Sequence, residues 1–129
     1  MITRDILVVD DDIAYLYLFS LFLKSEGFDV AAAQDGIKAL GTMENCNFRI
    51  VITDFNMPEM NGLDLAIKVR ERHPETRVVL VTADDLPKLL KVAVDTGIIE
   101  IFSKPVDLKK LVKTVLTVIT GIPNIRLGK

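Results

Sequence analysis

Short apolar, β-branched runs alternate with helix-like segments along the 129 residues of this chain. Several of these runs are apolar at every position, as is typical of strands that are buried on both faces. This pattern predicts a parallel sheet that is covered by helices on both sides. The predicted strands are Ile6–Val9, Val30–Ala33, Ile50–Thr53, Val78–Thr82 and Ile98–Phe102.

Helix start and stop signals divide the rest of the sequence into five segments. Gly27 suits the end of the first helix, Pro87 the first turn of the fourth, and Asp107 the N-cap of the last. The predicted helices are Ile13–Glu26, Gly36–Glu44, Asn61 to the residue before His73, Leu86–Thr96 and Asp107–Ile119. Five strands alternating with five helices predict an α/β fold with three layers, a doubly wound (βα)5 parallel sheet.

Length and composition favour a single globular domain. We expect it to span residues 1–121, followed by a short tail at 122–129. The net charge of −2 provides no basic footprint for nucleic acid. The apolar run Ile13–Leu23 is shorter than the ~20 residues that a membrane span needs. With one cysteine, Cys46, and no signal-peptide pattern, we expect a cytoplasmic protein that binds neither nucleic acid nor a membrane.

Polar side chains lie at or just after the carboxyl ends of four of the predicted strands. They are Asp10–Asp12, Asp54, Thr82 and Lys104. In a doubly wound sheet these ends share one edge, where ligands bind. Clustered carboxylates repel one another without a cation, and grouped oxygen ligands favour Mg²⁺. Because a carboxylate can also accept a phosphoryl group, the sequence predicts phosphoryl transfer to an aspartate beside Mg²⁺.

In order and position, these motifs resemble the receiver domains of bacterial response regulators. The matching stretches are Ile6–Asp12, Thr53–Pro58, Asn61-Gly62, Val81–Ala83 and Ser103–Pro105. The resemblance extends from Ile6 to about Ile119 and implies the flavodoxin-like strand order 2-1-3-4-5. It also implies a signalling module of a two-component phosphorelay, which catalyses only its own phosphorylation and dephosphorylation and is not otherwise an enzyme.

The resemblance implies a phosphoacceptor and a metal site. Asp54 corresponds to the residue that takes a phosphoryl group from a sensor histidine kinase or a histidine phosphotransfer protein. Asp11, Asp54 and the backbone carbonyl of Asn56 correspond to direct Mg²⁺ ligands. Asp10 corresponds to an acid that holds a metal-bound water.

The same resemblance implies roles for the other residues at this edge. Lys104 corresponds to the lysine that pairs first with the acceptor carboxylate and then with the phosphoryl group, and its bond to Pro105 is expected to be cis. Thr82 corresponds to the switch hydroxyl that moves toward the phosphate. Asn56 and Asp84 flank the expected path of the hydrolytic water, so they are expected to tune the lifetime of the phosphorylated form.

One position departs from the family pattern. The residue three before the lysine is usually aromatic, but here it is Ile101, which we expect to be buried. An isoleucine cannot swing a hydroxyl to the surface in concert with Thr82. The alternative is therefore a receiver-fold interaction module that no longer switches on phosphorylation.

Two enzyme-like or redox alternatives are less compatible with the motifs. A flavodoxin-like electron carrier needs a hydroxyl- and glycine-rich phosphate loop after the first strand, where this chain has three aspartates. A phosphatase of the haloacid dehalogenase group has an Asp-x-Asp motif, but here the second position is Asn56.

The first helix is apolar almost all round, whereas a surface helix usually has a single apolar stripe. Leu16 and Tyr17 occupy positions where the family usually presents polar residues to water. We therefore expect these two residues to form a partner face. Its occupant is a histidine phosphotransfer helix, a second copy of the chain or an adjoining domain.

Overall fold

The computed structural model describes residues 1–83 and 96–122, and this part of the chain contains five strands and four helices. The strands are β1 Thr3–Val9, β2 Val30–Ala33, β3 Asn47–Asp54, β4 Arg77–Thr82 and β5 Ile98–Ser103. The helices are α1 Ile13–Ser25, α2 Gly36–Asn45, α3 Gly62–Arg72 and α4 Leu108–Thr120. The predicted helix at Leu86–Thr96 falls almost wholly on residues 84–95, which lie outside the described residues.

The strands form one parallel sheet in the order β2-β1-β3-β4-β5. The predicted doubly wound fold and strand order are therefore confirmed. β1 and β3 begin three residues earlier than predicted, at Thr3 and Asn47, and these two residues pair with each other. Backbone pairing with a neighbouring strand continues past the apolar run, so hydropathy alone underestimates the length of these strands.

Two hydrophobic clusters cover the two faces of the sheet. On one face, strand residues such as Ile6 and Ile50 pack against α1 and α4 through Leu23 and Leu111. On the other face, strand residues pack against α2 and α3 through side chains that include Met43. The fully buried central strands therefore have apolar side chains on both faces, as the continuous apolar runs predicted.

Side-chain caps fix where the helices begin, and hence the loops that leave the sheet edge. A carboxylate oxygen of Asp12 accepts a hydrogen bond from the backbone N–H of Tyr15, at 3.2 Å, as expected of an N-cap. Asp107 caps α4 in the same way, as predicted. Gly27, just after α1, has a φ of 96°, a left-handed conformation that favours glycine.

Helix α1 divides its apolar residues between the core and the surface. Leu16 is only 6% exposed, so its predicted place on an exposed partner face is wrong. It lies on the same side of the helix as Phe19 and Leu23, which pack against the sheet. Tyr17, one residue further on, is 65% exposed. Within the described residues, no helix has the length and hydropathy needed to cross a bilayer.

Candidate functional site

The first two acidic residues of the site are placed by adjacent strands. Val9 of β1 pairs with Thr53 of β3, so Asp10 and Asp54 emerge side by side at the carboxyl edge of the sheet. Both are buried, with 2% and 7% of their surface exposed. One oxygen of Asp10 accepts a hydrogen bond from the backbone N–H of Asp12, at 2.9 Å, which fixes the turn into α1.

Lys104 reaches both of these carboxylates from the end of β5. Its Nζ lies 3.3 Å from Oδ2 of Asp10 and 3.2 Å from Oδ1 of Asp54. The backbone N–H of Lys104 donates to the carbonyl of Thr82, at 2.8 Å, which ties the lysine to the end of β4. The Lys104-Pro105 bond is cis, as predicted. The four strand ends thus meet as the sequence predicted.

The proximity of these charges alters how the groups titrate. Burial and the neighbouring Asp10 carboxylate raise the pKa of Asp54, although Lys104 opposes this shift. Burial alone would lower the pKa of Lys104, but the carboxylates of Asp10 and Asp54 outweigh it and raise the pKa. The site therefore holds excess negative charge that the single lysine offsets only in part.

Asp11 completes a compact cluster of oxygen ligands. Carboxylate oxygens of Asp10, Asp11 and Asp54 all lie within 4.8 Å of one another, and Asp11 is exposed to solvent. A set of three carboxylates around one point suits a hard divalent cation that retains several waters. Asn56 is also exposed, two residues after Asp54 in the loop that leads to α3.

The predicted switch residues are only partly as expected. Thr82 is fully buried at the end of β4, where it pairs with Ser103 of β5. Ile101 is only half-buried, so the prediction that it is buried is wrong. The buried neighbour is Phe102, because the alternation along β5 turns its ring into the core beneath α1 and α4. Asp84, the second expected lifetime residue, lies outside the described residues.

Tyr15 is a contact of the site that the sequence did not reveal. The Nζ of Lys104 lies 4.3 Å from the centre of the Tyr15 ring, which is close enough for a cation–π interaction. Tyr15 in turn stacks on Phe19, with 5.3 Å between ring centres. This α1 aromatic pair therefore helps to hold Lys104 over the carboxylates. Nothing in the local sequence of α1 distinguishes Tyr15 from its apolar neighbours.

Gly62 is the other residue whose role emerged only from the structure. It is the first residue of α3, next to Asn61, whose side chain caps the helix. A Cβ atom at Gly62 would lie 2.5 Å from the carbonyl oxygen of Asp54 and 3.0 Å from Cα of Phe55. The glycine thus lets the helix approach the backbone that carries Asp54.

We expect Gly62→Ala to destabilise the fold by about 2 kcal/mol, because the methyl group would displace the rigid backbone at Asp54. Chemical denaturation measures this change. The matched control is Gly41→Ala in the middle of α2, where an added Cβ has no atom within 4 Å. That variant should stabilise by about 0.5 kcal/mol through helix propensity. Equal effects of the two substitutions would contradict a role for Gly62 in close packing.

The fold and the site define an α/β domain with a lysine-paired acidic cluster at the carboxyl edge of its sheet. The family model described as the response regulator receiver domain matches residues 6–116. The chain therefore belongs to this family. A phosphoacceptor role in two-component signalling fits this membership, and the matches do not favour the non-switching alternative.

Curated relatives are longer proteins that contain a similar domain. The transcriptional regulatory protein ZraR of Klebsiella oxytoca is 33% identical over 107 residues, which cover 83% of this chain and 24% of the relative. A cyclic di-GMP phosphodiesterase of Thermotoga maritima is 32% identical over 106 residues, which cover 82% and 28%. The chain thus spans about a quarter of the length of these relatives.

Solved structures of similar proteins match nearly the whole chain. A response regulator receiver domain from Clostridium thermocellum superposes with a TM-score of 0.85 at 28% identity, covering 92% of this chain and 95% of that one. The chemotaxis protein CheY4 of Vibrio cholerae superposes with a TM-score of 0.82 at 29% identity, covering 90% and 98%.

Proposed function

We propose that Asp54 accepts a phosphoryl group from a phosphohistidine of a sensor histidine kinase or a histidine phosphotransfer protein. The main support is the placement of its buried carboxylate 3.2 Å from Lys104, at the ligand-binding edge of the sheet. A carboxylate oxygen attacks phosphorus, and the P–N bond breaks with its electron pair left on the imidazole nitrogen. The product is an acyl phosphate on Asp54.

The acidic cluster is suited to hold Mg²⁺ during this transfer. Asp11 and Asp54 would bind the ion directly with the backbone carbonyl of Asn56, and Asp10 would hold one of its waters. When bound, Mg²⁺ supplies positive charge that stabilises the phosphoryl oxygens in the transition state. Asp10 and Asp54 are already packed against Lys104, so one further cation brings the cluster closer to charge balance.

Lys104 and Thr82 would respond to the new phosphoryl group. The ammonium group of Lys104 can move from a carboxylate oxygen of Asp54 to a phosphoryl oxygen without leaving the site, and Thr82 would donate its hydroxyl to another. Ile101 would limit the usual coupling between Thr82 and the surface of β5. Asn56 and Asp84 would set how readily water attacks the acyl phosphate.

The domain would act as a module within a signalling pathway. We infer that the receiver domain spans residues 1–121; all of the predicted tail at 122–129 except residue 122 lies outside the described residues. The chain would work in the cytoplasm and bind no nucleic acid itself. It would catalyse no reaction beyond its own phosphorylation and dephosphorylation. The output would pass through a homodimer or an adjoining domain, since the longer relatives include a transcriptional regulator and a phosphodiesterase.

Intact-mass spectrometry after incubation with acetyl phosphate tests this proposal. We expect a covalent phosphoryl adduct that forms with Mg²⁺ and fails to form when EDTA removes the metal, because three carboxylates otherwise repel the incoming phosphate. Hydroxylamine, which cleaves acyl phosphates, should remove the adduct. The absence of an adduct with Mg²⁺, or its survival in hydroxylamine, would contradict the proposal.

A further inference from the structure

Three groups surround the ammonium of Lys104. Its Nζ lies 3.3 Å from Oδ2 of Asp10, 3.2 Å from Oδ1 of Asp54 and 4.3 Å from the centre of the Tyr15 ring. An ammonium group has three N–H donors, and the two carboxylates can accept two of them. The third donor is left for the Tyr15 ring and for water, because the Lys104 side chain is 25% exposed. Tyr15 therefore adds an uncharged contact to the two ion pairs.

The position of the Tyr15 ring is fixed by the same turn that carries Asp10. One oxygen of Asp10 accepts a hydrogen bond from the backbone N–H of Asp12, at 2.9 Å, and a carboxylate oxygen of Asp12 accepts one from the backbone N–H of Tyr15, at 3.2 Å. The other oxygen of Asp10 accepts from Lys104. The Tyr15 ring also stacks on Phe19, which is only 6% exposed. These contacts form a closed circuit from Asp10 through Tyr15 to Lys104, so the ring is held next to the ammonium group.

An aromatic ring holds a cation differently from a carboxylate. Its face attracts the cation over a broad area, through the ring quadrupole, and does not require one hydrogen-bond direction. Burial raises the pKa of Tyr15, against the opposing effect of Lys104, so the side chain stays uncharged at neutral pH. The ring can therefore keep the ammonium group in the site without competing with a phosphoryl oxygen for a charged hydrogen bond.

We propose that Tyr15 is a positioning residue for phosphoryl transfer, whose ring retains the ammonium group of Lys104 while this group moves from Asp54 to the phosphoryl oxygens. The inference rests on the proposed function of Asp54. When acetyl phosphate is the donor, an oxygen of Asp54 bonds to phosphorus as the bond between phosphorus and the acetyl oxygen breaks, and acetate leaves with the electron pair. Lys104 then exchanges a carboxylate contact for a phosphoryl contact. Tyr15 takes no part in these bond changes and acts through Lys104.

Without the ring, the ammonium group of Lys104 would be held less firmly in the site. The lysine side chain is flexible, and its exposed part faces water, which solvates an ammonium group strongly. A smaller fraction of the molecules would then have Lys104 next to Asp54 when the donor arrives. We therefore expect a lower rate of phosphorylation, and this effect should depend on the ring of Tyr15 and not on its hydroxyl.

The rate of adduct formation with acetyl phosphate and Mg²⁺ tests this role. Tyr15→Leu should slow the reaction about fivefold, the factor that corresponds to ~1 kcal/mol of lost cation–π attraction. Tyr15→Phe keeps the ring and should retain most of the rate. The matched control is Phe22→Leu, since Phe22 is a half-buried aromatic residue of the same helix, about two turns beyond Tyr15. This control should react like the wild type, and an equal slowing in it would overturn the proposal.

Fluorinated rings at position 15 separate the electrostatic contact from packing. Each fluorine atom withdraws electron density from the face of the ring and weakens its attraction for a cation, while the ring keeps nearly the same size. In a series of Tyr15→Phe variants whose ring carries successively more fluorine atoms, the rate should fall with each atom added. A ring that only fills space gives no such trend, so equal rates along the series would overturn the proposal. The series also decides the question if Tyr15→Leu fails to fold.

Failure of this inference is distinguishable from failure of the proposed function. A wild type that forms no adduct overturns both, since Tyr15 then has no reaction to assist. An adduct that forms equally fast in the wild type and in Tyr15→Leu overturns only the role of Tyr15 and leaves Asp54 as the phosphoacceptor. A rate that falls in Tyr15→Leu, is retained in Tyr15→Phe and decreases with added fluorine supports the positioning role.

Discussion

Lys104→Met is expected to destabilise the protein by about 2 kcal/mol and to slow its phosphorylation by acetyl phosphate roughly 100-fold. The substitution keeps most of the apolar stem of the side chain and removes the charge that lies 3.3 Å from Asp10 and 3.2 Å from Asp54. Two buried carboxylates then face each other without their cation. Because the side chain of Lys104 is 25% exposed, the loss of stability is smaller than the loss expected when a fully buried ion pair is broken.

Lys110→Met is the matched control for this prediction. Lys110 also pairs with a carboxylate, at 3.3 Å from Glu100, and also lies over an aromatic ring, that of Phe102. Its side chain is 62% exposed and lies away from the acidic cluster, so its removal should change stability by less than about 0.5 kcal/mol. Urea denaturation and the rate of adduct formation measure both variants. Equal losses of stability and of reaction rate in the Lys104→Met and Lys110→Met variants would contradict a specific role for Lys104.

Asp54→Asn is expected to abolish the phosphoryl adduct and, in EDTA, to stabilise the fold by about 1 kcal/mol at neutral pH. The amide cannot form an acyl phosphate. The stabilisation follows from the raised pKa of Asp54, which burial and then Asp10 produce. With a raised pKa, the folded state binds the proton more tightly than the unfolded state. The Asp54 carboxyl therefore contributes to the stability of the wild type at low pH. This contribution is lost as the pH rises through the pKa that Asp54 has in the folded state.

The advantage of Asp54→Asn should therefore vanish in acid, where the wild-type carboxyl is already protonated. Urea denaturation at neutral pH and at a pH below the ordinary pKa of aspartate measures this difference. Asp35→Asn is the control, since Asp35 is the half-buried N-cap of α2, outside the acidic cluster, and asparagine caps a helix equally well. A variant at position 54 that is less stable than the wild type at neutral pH would show that the ion pair with Lys104 outweighs the repulsion.

The architecture could be predicted because its signals are local. Continuous apolar runs such as Val78–Thr82 have side chains on both faces of the sheet, and only a covered parallel sheet buries both. Capping residues such as Asp107 marked a helix start correctly to within one residue. The starts of β1 and β3 were missed, since the polar residues Thr3 and Asn47 are held by pairing with each other and not by burial.

The site could be predicted in outline but not in its packing. Aspartates and a lysine at strand ends converge because parallel strands share an edge, and the structure brings Asp10, Asp54 and Lys104 within ion-pair distance. Tyr15 and Gly62 contribute through a ring and through a missing side chain, and such contacts have no signature in one sequence. The error at Leu16 has a similar origin. In a helix that is apolar all round, hydropathy does not reveal which side faces the sheet.

Locating the phosphoryl group by residue is the most direct test of whether Asp54 is the phosphoacceptor. The Mg²⁺-dependent adduct formed with acetyl phosphate is treated with borohydride, which reduces an acyl phosphate of aspartate to homoserine, and the peptides are sequenced by tandem mass spectrometry. We expect homoserine at position 54 alone. Homoserine at position 10 or 11, or an adduct on another type of residue, would contradict it.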